Sequence, residues 1–151
     1  MKKLTHVDQQ GKARMVDVSA KAVQRREAVA RGSIFLQRKT LAFIAANRVA
    51  KGDVLSTARL AGIQAAKRTS ELIPLCHPLN LSHIDVDLRS KRDHIEITAT
   101  AKIAAQTGVE MEALTAVAIT ALTIYDMCKA VDKEMVIGEI KLVSKKKTDA
   151  R

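Results

Sequence analysis

IDVDLRSKRDHIEITATA, residues 84–101, is the stretch of sequence that decides the fold of this chain. Apolar and polar side chains alternate through residues 84–88 and again through residues 95–101, and the charged segment 89–93 separates the two runs. A period of two is typical of β-strands that bury one face. The stretch therefore predicts an antiparallel hairpin with one buried face.

Helices are predicted on both sides of this hairpin. Apolar residues recur near helical spacing through residues 53–72, and Asp53 can cap the first turn. Thr107-Gly108-Val109-Glu110 has the form of a capping box, which predicts a helix that continues to about Ala130. A shorter helix is predicted at residues 40–46.

Three further strands complete the predicted fold. They are expected at residues 15–19, 28–36 and 135–143, and from the strand at residues 28–36 onward the elements follow the order β, α, α, β, β, α, β. Segregated strands and helices of this kind predict an α+β domain, with a ferredoxin-like antiparallel sheet and helices packed on one face.

The length of 151 residues predicts a single domain over residues 1–151. Aromatic residues make up only 2% of the chain, so the core must be built from Ala, Val, Ile, Leu and Met. Residues 1–13 and 146–151 are polar terminal segments, and we expect them to be flexible.

The charge balance indicates an anionic partner. The chain carries 26 Lys and Arg against 16 Asp and Glu, a formal charge of +10. Such an excess attracts nucleotides, nucleic acid or anionic membranes. A basic nucleic-acid-binding module is therefore the alternative to an enzyme, although few aromatic side chains are available for stacking on single strands.

The cellular location is predicted from what the sequence contains. Cys76 and Cys128 are widely spaced, and the first residues are polar rather than an apolar export segment. No run approaches the roughly 18 apolar residues of a membrane span. We therefore expect a reduced cytoplasmic protein that does not enter a membrane.

The predicted helix after the hairpin carries a possible proton-transfer pair. Asp126 and Lys129 are three residues apart and share a face, and Glu112 lies within about 40° of the same stripe. On spacing alone, a solvated ion pair is the simpler interpretation. The alternative is a catalytic acid–base pair in which each group shifts the pKa of the other.

Two other segments can contact anions. Cys76 and His77 stand between two prolines on a rigid connector, but they lack enough neighbouring ligands for a metal site. Lys51 precedes Gly52 and a helix start, where backbone N–H groups can hold a phosphate. Solvated surface is the simpler interpretation of Lys67, and edge protection is that of Arg26.

Seven stretches, in order along the chain, resemble one known family. Two of them are the most specific, Leu72-Ile73-Pro74-Leu75-Cys76-His77-Pro78-Leu79 and Thr107-Gly108-Val109-Glu110-Met111-Glu112-Ala113-Leu114-Thr115. The others are residues 4–6, 15–19, 51–54, 61–69 and 121–131. Together they are similar to the cyclic pyranopterin monophosphate synthases, the protein C family of molybdenum cofactor biosynthesis, over about residues 4–145.

The resemblance implies an activity and its partners. The family members are lyases that convert 3′,8-cyclo-7,8-dihydroguanosine 5′-triphosphate to the pterin cyclic pyranopterin monophosphate and release diphosphate. A radical SAM enzyme supplies the substrate in molybdopterin synthesis. The family forms a homohexamer, a trimer of dimers, with sites between subunits. No cofactor is required, and Mg²⁺ assistance with the triphosphate is left open.

The resemblance also implies roles for individual residues. Asp126 and Lys129 are expected to be the catalytic acid–base pair, assisted by Lys51. The expected substrate-binding residues are Leu75, Cys76, His77, Met111, Glu112, Lys67, Arg26 and Lys145. Lys145 aligns with a tail lysine of the family, but the glycine-rich loop that usually follows is replaced here by further lysines.

Overall fold

The computed structural model of the protein describes residues 5–150. Its elements are β1 (Gln24–Phe35), α1 (Arg38–Ala45), α2 (Val54–Lys67), α3 (Thr69–Leu72), β2 (His83–Ser90), β3 (His94–Ala105), α4 (Glu110–Cys128) and β4 (Val136–Asp149). The four strands form one antiparallel sheet in the order β2-β3-β1-β4. The predicted α+β class is confirmed, and this strand order is consistent with a ferredoxin-like arrangement.

The predicted hairpin is confirmed as β2 and β3. Val86 pairs with Ala99 and Leu88 with Ile97. Every second residue of β3 from Ile95 to Ile103 is buried, as the alternation of the sequence predicts. One face of this sheet therefore forms the core, and the helices cover that face.

Helix α4 is the centre of the core. It packs on β1, β3 and β4, while α2 packs beside it against β2. Within residues 5–150, α4 is the one helix that is long and apolar enough to cross a membrane. Within its most apolar 18 residues, 56% are buried in the protein, and the central helix of a globular domain has this character too.

The capping box predicted for α4 is wrong. The N-cap residue is Val109, and no side chain makes a capping hydrogen bond there. The carboxylate of Glu110 instead accepts a hydrogen bond from Lys145 of β4, at 3.2 Å. The helix also ends at Cys128, slightly before the predicted Ala130.

The predicted helix 53–72 is two helices in the structure. Asp53 caps α2 as expected, since its carboxylate accepts the N–H of Ser56 at 3.0 Å. Arg68 then leaves the helical region at φ −115°, and the short helix α3 follows it. The Thr69 hydroxyl donates back to the carbonyl of Ala66 at 3.0 Å, which holds the break together.

The two ends of the chain also differ from expectation. No strand forms at residues 15–19, because the Val16 carbonyl is bonded to His77 rather than to a strand partner. At the other end, β4 extends beyond residue 143 to Asp149 and pairs with β1. Residues 146–149, expected to be flexible, therefore lie in the sheet. Flexibility of residues 5–13 stays a prediction, and residues 1–4 and 151 lie outside the described residues.

Candidate active site

The end of α4 carries a cluster of one carboxylate and two ammonium groups. Lys129 Nζ lies 2.8 Å from one oxygen of Asp126, and Lys51 Nζ lies 2.7 Å from the other. Lys51 also donates to the Asp126 carbonyl at 3.1 Å. All three side chains are about half exposed. The predicted contact between Asp126 and Lys129 is therefore present, and Lys51 joins it.

The cluster is an ion pair with an additional cation. The hydrogen bonds from Lys129 and then Lys51 lower the pKa of Asp126 to about 2, and the carboxylate in turn raises the pKa of Lys129. Asp126 is thus ionised at neutral pH, and the cluster carries a net positive charge. Such an arrangement attracts a polyanion to the end of α4.

Lys51 reaches the cluster from a loop with an unusual backbone. Between α1 and α2, Asn47 has φ 51° and Gly52 has φ 100°. Left-handed conformations suit asparagine and glycine, which is why these residue types stand here. The turn after α1 directs Lys51 back toward α4, so its ammonium group meets Asp126.

A second group of predicted residues surrounds a cavity of about 270 Å³ at the other end of α4. Leu75, Cys76 and His77 line one wall, and Met111 with Glu112 lines another. The family resemblance assigned these residues to substrate binding, and the structure brings them together around one cavity.

Glu112 is the buried acidic group of this cavity. Its exposed fraction is only 4%. Burial, and to a lesser extent the charge of Glu110, raises the pKa of the Glu112 carboxyl. A carboxyl group with a raised pKa in a cavity is a frequent sign of a functional site.

The connector residues Cys76 and His77 already have defined surroundings in the free chain. His77 Nε2 lies 2.6 Å from the Val16 carbonyl oxygen, so this nitrogen carries the proton and donates. His77 therefore holds the N-terminal segment over the cavity in this structure. Burial raises the pKa of the Cys76 thiol, which makes this cysteine a poor nucleophile.

A neighbouring cavity of about 250 Å³ is lined by basic residues of β1 and β4. Arg26 lines it and donates to the Ala105 and Gln106 carbonyls at 3.2 Å, while Lys145 lies opposite, paired with Glu110. Gly108 and Glu110 line this cavity and the Glu112 cavity alike. The two cavities therefore form one surface around the start of α4.

The predicted residues and the residues that line the two cavities do not fully coincide. Lys67 is exposed at the end of α2 and lines neither cavity. Conversely, Val16, Val18 and Lys21 line the Glu112 cavity but were given no role. Val16 and Val18 belong to the family-like stretch 15–19, which carries no side chain of obvious chemistry apart from Asp17, and Lys21 lies just beyond that stretch.

The two groups of site residues are far apart in a single chain. Glu112 and Asp126 are separated by 14 residues of α4, or roughly 21 Å at about 1.5 Å per residue. Within residues 5–150, no three His, Cys, Asp or Glu side chains are placed to hold a metal ion. The arrangement can bind anions at both ends of α4 and can exchange protons at the lysine–aspartate cluster.

A small basic α+β domain with basic residues grouped at both ends of one helix is typical of the class of domains that bind anions. The comparisons identify it further, because the model of the MoaC family matches residues 15–148. A cyclic pyranopterin monophosphate synthase of Chloroflexus aurantiacus is 61% identical over 145 residues, 95% of this chain and 89% of the relative. That of Parvibaculum lavamentivorans is 58% identical over 146 residues, 95% of this chain and 91% of the relative. This chain belongs to the MoaC family.

Proposed function

We propose that this protein is the lyase that converts 3′,8-cyclo-7,8-dihydroguanosine 5′-triphosphate to cyclic pyranopterin monophosphate, with release of diphosphate. The observation that carries the proposal is the convergence of Lys51 and Lys129 on Asp126, in a chain so similar to relatives named cyclic pyranopterin monophosphate synthase. The reaction needs proton transfers and fixed positive charge, and this cluster supplies both kinds of group.

The cluster becomes suited to proton transfer when the triphosphate arrives. In the free chain, the two ammonium groups hold the pKa of Asp126 at about 2, too low for a strong base. Phosphate oxygens compete with the carboxylate for these ammonium groups. As hydrogen bonds move from Asp126 to phosphate, its pKa rises toward the range in which a carboxylate exchanges protons efficiently.

The remaining residues bind the two parts of the substrate. Arg26 and Lys145 neutralise phosphate charge. Lys67 is assigned the same task, which requires the end of α2 to lie beside a site in the assembled oligomer. The cavity of Leu75, Cys76, His77, Met111 and Glu112 holds the ring system. The buried Glu112 carboxylate accepts hydrogen bonds from the guanine-derived N–H groups.

The separation of the two groups along α4 supports a site between subunits. One nucleotide does not readily span a helix of this length within one chain, but the cluster of one subunit can face the cavity of another. We therefore assign the protein to a homohexamer, a trimer of dimers, in which each site uses two chains. No cofactor is assigned, and Mg²⁺ can accompany the triphosphate.

We place the reaction in the cytoplasm, downstream of the radical SAM enzyme that makes the cyclised nucleotide. Both cysteines are free thiols, in agreement with a reducing compartment. The alternative of a nucleic-acid-binding module rests on net charge alone. A gel shift with duplex DNA at physiological salt tests it, and salt-sensitive retardation would support it.

The direct test of the proposed function is turnover of the cyclised nucleotide. Phosphorus NMR of the reaction is expected to show loss of the triphosphate signals and growth of diphosphate and a cyclic phosphate. A control with GTP should show no change, since GTP lacks the 3′,8 bond. If the folded protein left the cyclised nucleotide unchanged, the proposed function would be wrong.

Substitution of Glu112 by glutamine should weaken substrate binding. Removing one charge-assisted partner costs about 1.5–3 kcal/mol, so KM should rise about 10- to 100-fold with a smaller change in kcat. Because burial raises the pKa of Glu112, the wild type should lose affinity as pH falls through that pKa. The variant has no such carboxyl group and should lack this acidic limb.

The matched control for Glu112 is Glu96→Gln, a partly buried carboxylate on the sheet near Arg31. This control should keep the KM and the pH profile of the wild type. An unchanged KM in the Glu112 variant would contradict the assignment of Glu112 to substrate binding.

A further inference from the structure

Asp132 is a buried carboxylate to which the proposed chemistry gives no part. It lies between α4 and β4, three residues beyond Lys129, and its exposed fraction is 1%. Burying a charge is unfavourable unless hydrogen bonds replace the lost water. Its contacts therefore show which parts of the chain it holds together.

Asp132 accepts hydrogen bonds from both sides of a long-range junction. One oxygen accepts the Gln37 N–H at 2.9 Å and the Thr40 hydroxyl at 2.9 Å. The other oxygen accepts the Glu134 N–H at 3.1 Å. Gln37 is the N-cap residue of α1, and its own side chain makes no capping bond. Asp132 therefore caps α1 from a position 95 residues away.

This cap is a polar tether of α1, and it adds to the packing of Leu41 and Ile44 against the core. The most extensive packing between described elements involves α2, α4 and the strands rather than α1. On the other side of the junction, Asp132 is joined to the end of α4, because its N–H donates to the Cys128 carbonyl at 3.0 Å. Asp132 thus joins the start of α1 to the end of α4.

The same two segments meet a second time at the proposed active site. The chain leaves α1, turns at Asn47 and brings Lys51 to Asp126, which lies on the last turn of α4. The segments 37–51 and 126–132 are therefore held together at both ends. The buried junction at Asp132 is the fixed end, and the half-exposed contact of Lys51 with Asp126 is the open end.

We propose that Asp132 is a positioning residue, which caps α1 from the end of α4 and thereby fixes Lys51 against Asp126. The proposal rests on the proposed function only where it treats the contact of Lys51 with Asp126 as catalytic. The contact itself exists in the structure without substrate. Burial alone raises the pKa of Asp132, but the hydrogen bonds from Gln37, Glu134 and Thr40 outweigh it and keep the pKa below its usual value. The tether is thus a charged acceptor at neutral pH.

The test measures how strongly each lysine is held, by competitive acylation of the whole protein at neutral pH and mass spectrometry. In Asp132→Asn, the negative charge is lost and the amide N–H2 must face one of the N–H or O–H donors, so the junction loses at least one of its three hydrogen bonds and the cap is weakened. Lys51 should then react several-fold faster than in the wild type. Lys129 should keep its rate, because its partner Asp126 is on its own helix. Asp126→Ala, which removes the carboxylate that both lysines contact, sets the upper limit.

A merely structural effect of the substitution has a different signature. Val86→Ala removes core volume on β2, far along the chain from the tether, and is chosen to match the loss of Tm. It should change the reactivity of Lys51 and Lys129 together or not at all. If Asp132→Asn does not fold, Thr40→Val removes one of the three hydrogen bonds at nearly constant volume and should give a smaller change in the same direction.

The kinetic consequence separates this inference from the proposed function. A misplaced Lys51 should lower kcat about 10- to 100-fold, since small displacements of a catalytic group have effects of this size. Unchanged Lys51 reactivity in a folded Asp132 or Thr40 variant would overturn the positioning role, whatever the wild-type enzyme does. An inactive wild type with a selective rise in Lys51 reactivity would instead overturn the proposed function and leave the tether established.

Discussion

Replacement of Asp126 by asparagine is expected to reduce kcat by about 10²- to 10⁴-fold, the usual contribution of a group that transfers protons. Asparagine has nearly the same shape, and its single amide oxygen can still accept a hydrogen bond from one of the two lysines. It has no charge and cannot take up a proton. The measurement is the rate of diphosphate release from the cyclised nucleotide. Lys129→Ala should show a similar loss.

The chain provides a matched control for this prediction. Asp87 and Arg89 form an exposed pair on β2 with the same 2.7 Å separation that joins Asp126 to Lys51. Asp87→Asn removes an equivalent surface ion pair and should leave kcat unchanged, because such pairs contribute little to stability. Wild-type kcat in the Asp126 variant, with the oligomer intact, would show that its carboxylate takes no part in proton transfer.

The parts of the fold that sequence predicted well are those governed by local periodicity. Alternation in residues 84–101 determines which side of each strand is buried, and the structure buries Val86, Ile95 and Ile97 accordingly. The cap of α2 is equally local, because Asp53 and Ser56 are three residues apart. Short-range contacts of this kind can be predicted from a single sequence.

The errors arose where distant parts of the chain meet. Thr107 and Glu110 have the spacing of a capping box, but Glu110 is drawn to Lys145, which lies 35 residues away. The lysine-rich tail has the composition of a solvated segment. It is nevertheless a strand, because Lys146 and Lys147 pair with Glu27 and Arg26 of β1. Lysine on an edge strand also discourages pairing with other sheets.

The same difference between short-range and long-range contacts applies to the candidate site. The contact of Asp126 with Lys129 follows from helical spacing, and the structure contains it. Lys51 lies 75 residues before Asp126, and only the resemblance to a family grouped them. Asp132 had no signal in the sequence, since an aspartate after a helix is usually a solvated loop residue. Its importance comes from burial and from partners in α1.

Substitution of Gly62 by alanine is expected to destabilise the protein by about 2–3 kcal/mol, through overpacking between α2 and α4. A Cβ atom at this position would overlap the Thr120 hydroxyl and lie 3.0 Å from the Ala116 carbonyl. In an open helix, the same change would stabilise by up to about 1 kcal/mol. Here the steric cost exceeds that gain, because the neighbours are a backbone carbonyl and a stiff β-branched side chain.

The neighbours of Gly62 cannot move independently. The Thr120 side chain is fully buried, and its hydroxyl donates to the Ala116 carbonyl at 2.7 Å. The steric clash can therefore be relieved only if this hydrogen bond breaks or if α2 moves away from α4. Thermal unfolding at fixed protein concentration should show the loss as a fall in Tm. Gly138→Ala is the matched control and should cause none, because a Cβ there meets no atom within 4 Å.

A double substitution tests the physical cause. In Gly62→Ala with Thr120→Ala, the hydroxyl that blocks the new methyl group is gone, so the pair should cost less than the sum of the single changes. Additivity within about 0.5 kcal/mol would contradict the proposed clash, because residues in direct contact are expected to be coupled. Close approach of these helices matters beyond stability. α4 carries Asp126, while the loop that enters α2 carries Lys51, so a shift of α2 would separate the two groups that the proposed reaction brings together.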